Sequence, residues 1–208
     1  MVLEISLYNT FVQFHNDWWG PLCLHYTTKD KYVLLSLYVD DILIVGNNLE
    51  FVQTIKRWLS SIFEMKDMGE TSYILGVKIH MDCSNKLVAL SQEHYIKKIF
   101  ERFNMQDCNP IDTPFARGEN LSKEMSQKTP EEKKKMSNVS YSNVVWSLMY
   151  ATMCTRPNIY YAARMVSCYQ ANIGMMHWKE IKRILRHLKG TKDYFLCYQG
   201  KELCLVGY

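Results

Sequence analysis

Asp40 and Asp41 are adjacent carboxylates, preceded by Tyr38 and Val39 and flanked by short apolar runs at residues 32–37 and 42–46. Two adjacent carboxylates repel by about 1 kcal/mol at a ~4 Å separation in water, and several-fold more in a drier site. A divalent cation would neutralise them. The competing reading is plain turn chemistry, because aspartate is common where strands reverse. Spacing alone leaves the two readings level. A second pattern lies further along, where Lys179, Lys182, Arg183 and Arg186 recur at i, i+3, i+4 and i+7. A basic stripe on one helix face is the footprint of phosphate contacts, with a solvated face as its equal competitor. Lys97, Lys98 and Arg102 form a smaller basic set.

The elements that position these groups follow from periodicity. Runs 32–37 and 42–46 are too short for helices and rich in leucine and β-branched residues, so they read as strands of a hairpin with Asp40 and Asp41 at its tip. Residues 22–26 could add a strand through a turn at 27–31. Helical apolar spacing at Leu3, Leu7, Phe11 and Phe14 predicts a short helix, broken at 16–21. Asn47-Asn48 offers an N-cap, and Phe51, Val52, Ile55, Trp58, Leu59 and Ile62 mark one face of a helix ending near Phe63. Residues 73–80 and 86–90 read as a second hairpin, with Gly76 inside its first strand as a bulge or close backbone approach. A helix over 91–103, opened by Ser91 as N-cap, turns Tyr95, Ile96, Ile99, Phe100 and Phe103 inward. Residues 108–135 hold three of the five prolines and few large apolar side chains, so an exposed connection is expected there. Helical stripes resume at Val144, Val145, Leu148 and Met149, then after Arg156-Pro157. The last helix, near 176–189, packs Trp178, Ile181, Leu185 and Leu188 inward. Strand-like pieces close the chain at 194–198 and 203–208.

With 208 residues, 48% hydrophobic content and net charge +4, the chain reads as a soluble, mildly basic globular protein of one large or two small domains. No apolar run approaches the roughly 18 to 20 residues of a membrane span, and no membrane partner is expected. The first residues lack a signal-peptide pattern. Seven scattered cysteines without a Cys-x-x-Cys pair argue against a disulfide framework or a zinc module. His25 has no second ligand at metal spacing. An intracellular, reduced, non-secreted protein is expected.

The ordered motifs resemble the copia-type reverse transcriptase family. Tyr38-Val39-Asp40-Asp41 followed by Ile42-Leu43-Ile44 is similar to its catalytic motif. Phe63-Glu64-Met65-Lys66-Asp67-Met68-Gly69-Glu70 and Ile74-Leu75-Gly76-Val77-Lys78-Ile79 resemble the next blocks. Leu90-Ser91-Gln92, Arg102-Phe103-Asn104-Met105, Ser147-Leu148-Met149-Tyr150-Ala151, Thr155-Arg156-Pro157 and Ile184-Leu185-Arg186-His187-Leu188-Lys189-Gly190-Thr191 follow in the family's order.

That resemblance implies an α+β fold, a partial right-hand polymerase. Residues 1–30 would be a remnant of palm or fingers, and 31–90 a palm carrying both hairpins. Residues 91–135 would be a thumb helix with an exposed linker, and 136–208 a helical thumb or connection segment before a ribonuclease H domain. Asp40 and Asp41 would be two of three catalytic, metal-binding carboxylates of a two-Mg²⁺ site. Tyr38 and Val39 would lie under an RNA or DNA primer–template. Leu75 and Gly76 resemble a primer grip, and Lys97, Lys98, Arg102, Lys179, Lys182, Arg183 and Arg186 would face phosphate. The family's first catalytic aspartate and its fingers have no matching block in 1–37. The resemblance thus leads us to expect an incomplete metal site, deoxynucleoside triphosphate binding only if fingers are supplied, and no processive extension by the chain alone. Integrase and ribonuclease H segments of a Pol polyprotein would be partners, in a virus-like particle in the cytoplasm or in the nucleus. Trp146 and Asn158 stand where the family pattern has glycine and aspartate, and the tryptophan is expected to disturb helix packing. A nucleic-acid-binding remnant without catalysis, or a relic reading frame, are the alternatives.

Overall fold

In the computed structural model the described residues are 30–70, 72–82, 84–116, 118, 121–137 and 139–199, with backbone alone for 22–27. The helix expected in 2–14 and the strand expected at 203–208 lie outside them. The chain divides between Glu70 and Thr71 into two compact units. The second hairpin, grouped above with 31–90, therefore falls in a different unit from the Asp40-Asp41 hairpin.

In the first unit, β1 (Leu22–Thr27), β2 (Tyr32–Tyr38) and β3 (Asp41–Gly46) form an antiparallel sheet in that order. Side chains alternate across a strand, so Val33 and Leu35 of β2 share a face with Ile42 and Ile44 of β3. That face is covered by α1 (Leu49–Ile62), whose Leu59 is fully buried and whose Phe51, Val52 and Ile55 pack beside it. The helix starts where expected, because Asn48 Oδ1 accepts from the Phe51 N–H at 2.9 Å. Neighbouring Asn47 takes the Tyr32 N–H at 2.9 Å and donates to the Asp30 carbonyl at 3.0 Å, closing the far end of the hairpin. After α1, Asp67 pairs with Lys56 at 2.9 Å and accepts the Gly69 N–H. The Lys56 bond, aided by the Gly69 bond, lowers the Asp67 pKa.

The second unit combines a sheet with a helical core. β4 (Tyr73–Ile74), β5 (Val77–Asp82), β6 (Leu87–Ser91) and β7 (Leu196–Gln199) are antiparallel and adjacent in that order. The single strand expected over 73–80 is corrected here. Leu75 and Gly76 adopt φ of 50° and 76°, so the chain reverses and Ile74 pairs with Val77. Two consecutive left-handed residues are what a tight hairpin turn needs, and glycine meets that at its second position without steric cost. At the next turn, Ser84 and Asn85 donate to Asp82 and lower its carboxyl pKa to about 2.

The helices are α2 (Glu93–Arg102), α3 (Pro130–Ser137), α4 (Tyr141–Cys154), α5 (Tyr160–Ser167) and α6 (Met175–Gly190). Gln92, not Ser91, is the residue before α2; Ser91 ends β6, but its hydroxyl still accepts the Glu93 N–H at 3.2 Å. Ile96, Ile99 and Phe100 of α2 meet Val144, Val145 and Leu148 of α4, Val166 of α5, and Ile181, Ile184, Leu185 and Leu188 of α6. The segment expected as an exposed linker contributes too: Leu121 is buried in this core, and Met125 and Phe115 pack against it. Asn109, Pro110, Asp112, Thr113, Lys123, Glu124 and the charged outer side of α3 are exposed as expected. Trp146 is 68% exposed and so displaces nothing within this unit, against the disturbance expected of it. Among the described residues no helix is long and apolar enough to cross a membrane.

Candidate carboxylate hairpin and nucleic-acid interface

The hairpin tip is a two-residue turn, Val39-Asp40, closed by the pairing of Tyr38 with Asp41. Asp40 and Asp41 are both exposed. Register places Asp41 on the same face as Tyr38 and away from the α1 core. Tyr38 is 47% and Val39 78% exposed, so the whole Tyr38-Val39-Asp40-Asp41 tip is open to a partner. Its base is rigid, since Val33 and Leu35 are at most 2% exposed.

Val39 carries φ of 53°, a left-handed conformation that β-branched residues avoid. Left-handed backbone costs a non-glycine residue roughly 1–2 kcal/mol, and glycine's extra unfolded-state entropy returns about 0.5–1 kcal/mol of that. Val39→Gly is therefore expected to stabilise the first unit by up to about 1 kcal/mol, read by urea denaturation. A loss of stability on that substitution would show the tip to be unstrained.

Mg²⁺ typically takes one or two protein carboxylates and completes its shell with water and substrate phosphates. Two adjacent exposed carboxylates fit such a partial donor set. Among the described residues no cluster of three or more His, Cys, Asp or Glu could hold a metal ion.

In the second unit, a polar cleft of about 220 Å³ is lined by Tyr73, Gly76, Lys78, Ser91, Glu93, His94 and Lys97. It joins two regions singled out separately in the sequence, the Leu75-Gly76 turn and the start of α2. The Tyr150 hydroxyl donates to the Leu75 carbonyl and stacks edge-on against Tyr95 at 4.9 Å, which fastens the turn to α4 and α2. Lys97 lies 2.5 Å from Glu93. Lys98 is exposed, and the Arg102 guanidinium sits 5.6 Å from the Phe103 ring.

The basic stripe of α6 divides. Arg183 donates to Thr113 Oγ1 at 2.8 Å, Arg186 donates to the Asn109 carbonyl at 2.7 Å, and Lys189 donates to the Gln106 carbonyl. Three cations thus strap residues 106–113 onto the helix. Lys179 and Lys182 are exposed, and among the described residues neither forms an ion pair with an acid.

Sequence reasoning missed the joints beneath this surface. Thr155 Oγ1 donates to Gln92 Oε1 at 2.8 Å, linking two motif blocks 63 residues apart. Arg156, only 3% exposed, donates to the Lys192 carbonyl at 3.0 Å, and burial lowers its pKa. Asn158 Nδ2 lies 3.1 Å from His187 Nε2, while His187 Nδ1 faces the Ile111 carbonyl at 3.3 Å. The sequence neighbours, Ser91 and Glu93-His94 for Gln92 and Thr155 and Pro157-Asn158 for Arg156, are largely polar and gave no signal of burial.

Residues 13–117 match the family Reverse transcriptase (RNA-dependent DNA polymerase). The chain is 45% identical over 181 residues to the retrovirus-related Pol polyprotein from transposon TNT 1-94 of Nicotiana tabacum, covering 87% of this chain and 14% of that one. It is 32% identical over 177 residues to the Pol polyprotein from transposon RE2 of Arabidopsis thaliana, covering 85% and 12%. An uncharacterized mitochondrial protein of Arabidopsis thaliana is 35% identical over 157 residues, 76% of this chain and 61% of its own length. No solved structure matches. The chain spans about one seventh of the Pol polyproteins it resembles, 14% and 12%. With a family match over half its length and its motif blocks in the same order, this chain belongs to the reverse transcriptase (RNA-dependent DNA polymerase) family, in the copia-type lineage of transposon Pol polyproteins.

Proposed function

We propose that the chain serves RNA-directed DNA synthesis by presenting two metal-binding carboxylates and by holding a primer–template. The single observation that carries this reading is the hairpin tip. Asp40 and Asp41 stand exposed at the end of strands pinned to a buried core, in a chain of reverse transcriptase lineage. Asp40 and Asp41 would hold Mg²⁺, which when bound activates a primer hydroxyl and steadies the leaving pyrophosphate. Tyr38 and Val39 would support the strand beside it. In the second unit, the cleft between the Leu75-Gly76 turn and α2 gives Lys78, His94 and Lys97 a place to meet phosphate. Lys98, Arg102, Lys179 and Lys182 extend the positive surface, while Arg183 and Arg186 add charge from their strapped positions.

The test measures Mn²⁺, standing in for Mg²⁺, by electron paramagnetic resonance in the presence of a primed RNA template. Asp40→Asn/Asp41→Asn is expected to weaken Mn²⁺ binding at least tenfold while changing primer–template affinity less than threefold. With Mg²⁺ and nucleotides, the chain alone is expected to give no processive extension. Mn²⁺ binding unaltered by the double substitution, or extension indifferent to it, would overturn the proposal.

A further inference from the structure

The strapping of α6 changes what its basic stripe can do. Arg183, Arg186 and Lys189 spend donors on residues 106–113, so the cations left for an outside ligand gather at the N-terminal half of the helix. There a cleft of about 240 Å³ is lined by Met175, Met176, Trp178, Lys179 and Lys182. Its apolar lining is Met175, which is 56% exposed, Met176, and Trp178, which is partly buried against the core. The Lys182 ammonium stands 5.6 Å from the centre of that ring.

We propose that this cleft is a landing site for single-stranded nucleic acid, with an unpaired base against Trp178 and the methionines and its phosphates at Lys179 and Lys182. The inference rests on the proposal that this chain holds nucleic acid, and it names a place and a strandedness that the proposal lacks. An aromatic ring with the Lys182 ammonium over its face and Lys179 on the same helix, neither lysine in an ion pair among the described residues, matches the two halves of an unpaired nucleotide once Lys182 turns from the ring to a phosphate. Bases stack on aromatic side chains irrespective of sequence, and lysines track the backbone. A duplex offers only the phosphate half, because its bases are already stacked. Lys179 and Lys182 are three residues apart, hence neighbours on one helix face. An acidic peptide would satisfy the lysines and leave the indole without a planar partner.

The experiment uses the full chain and fluorescence anisotropy with three labelled 12-mers: oligothymidylate, an abasic oligomer of equal charge, and a duplex. Oligothymidylate is expected to bind at least fivefold more tightly than the abasic strand, and Trp178→Leu is expected to erase that difference while leaving abasic binding within twofold. Lys179→Gln/Lys182→Gln is expected to weaken oligothymidylate about tenfold and to reduce the salt slope by about 1.4, the value for two phosphates of a single strand. Lys134→Gln/Lys135→Gln on α3, equal in charge, is expected to change neither. Equal affinity for the thymidylate and abasic strands, tighter binding of the duplex, or competition by polyglutamate as effective as by oligothymidylate would each overturn the proposal. The manganese measurement reads the Asp40-Asp41 tip, and the strand measurement reads the α6 cleft. Failure here with manganese binding retained therefore removes the landing site alone, while failure of manganese binding with strand affinity retained removes only the metal role.

Discussion

Gly174→Ala is expected to destabilise the second unit by more than about 3 kcal/mol. A Cβ on Gly174 would lie 1.8 Å from the Met125 carbonyl oxygen and 2.8 Å from its carbon. Both are backbone atoms, so no side-chain rotamer can yield. The approach is close because the turn Lys123–Met125 and the start of α6 are tied on both sides of the contact. Ser126 Oγ donates to the Asn172 carbonyl at 2.8 Å, and the Gln127 N–H donates to the Ile173 carbonyl at 3.3 Å. Accommodating a methyl group means separating the turn from the helix. Native domains are stable by about 5–15 kcal/mol, so a large share of the margin would go. Thermal unfolding followed by circular dichroism should show a midpoint about 10 °C lower. Gly118→Ala provides the contrast: its φ of 78° strains an alanine, but nothing lies within 4 Å of the added Cβ. It should cost only about 1 kcal/mol. Equal losses for the two substitutions would contradict the close approach.

The hairpin and the helices other than α3 were legible because each follows from a local rule. Short runs rich in leucine and β-branched residues on either side of an acidic tip gave β2 and β3, and Asn48 with a 3.6-residue stripe gave α1. The turn at Leu75 was not, because a non-glycine residue at φ 50° leaves no local signal, and Ile74–Ile79 reads as one apolar run. Residues 108–135 misled for a different reason. Leu121 there is 7% exposed, and Phe115 and Met125 pack partly buried against the same core, but composition averages these few apolar side chains away. The α6 stripe was found but its use was not, since backbone carbonyls at Gln106 and Asn109 carry no sequence signature. Several motif blocks prove to be seams. Thr155 holds Gln92, Tyr150 holds Leu75, Tyr141 Oη donates to the Val166 carbonyl, and Asp67 holds Lys56. Much of what marks the lineage in this sequence builds the scaffold.

His177→Phe is expected to cost about 1–3 kcal/mol and, more tellingly, to remove an acid sensitivity of the second unit. His177 is fully buried on the third residue of α6 and stacks on Tyr169 with centroids 4.2 Å apart. Its Nδ1 accepts the Gly174 N–H at 2.9 Å, which leaves Nε2–H to donate to the Ser122 carbonyl at 3.1 Å. Gly174 has no side chain to return a capping bond, so the imidazole alone closes this helix start. Phenylalanine keeps the stack but strands the buried Gly174 N–H, at about 1–3 kcal/mol, and leaves the Ser122 carbonyl with the Met125 N–H alone. Burial lowers the His177 pKa below its ordinary 6.5, with the Ser122 bond opposing in part. The unfolded chain therefore takes up the proton first as pH falls. The contribution of neutral His177 is complete above pH 6.5 and declines below it toward the folded pKa, by at most about 1.4 kcal/mol per pH unit. Protonation would also place a hydrogen on Nδ1 against the Gly174 N–H. Urea denaturation at intervals from pH 7.5 to 5 should show the wild-type chain losing stability below 6.5 more steeply than His177→Phe. Parallel curves for the two proteins would mean that the acid response arises at other groups. His177→Gln, which can still accept from Gly174, should recover part of the lost stability while keeping the flattened pH profile.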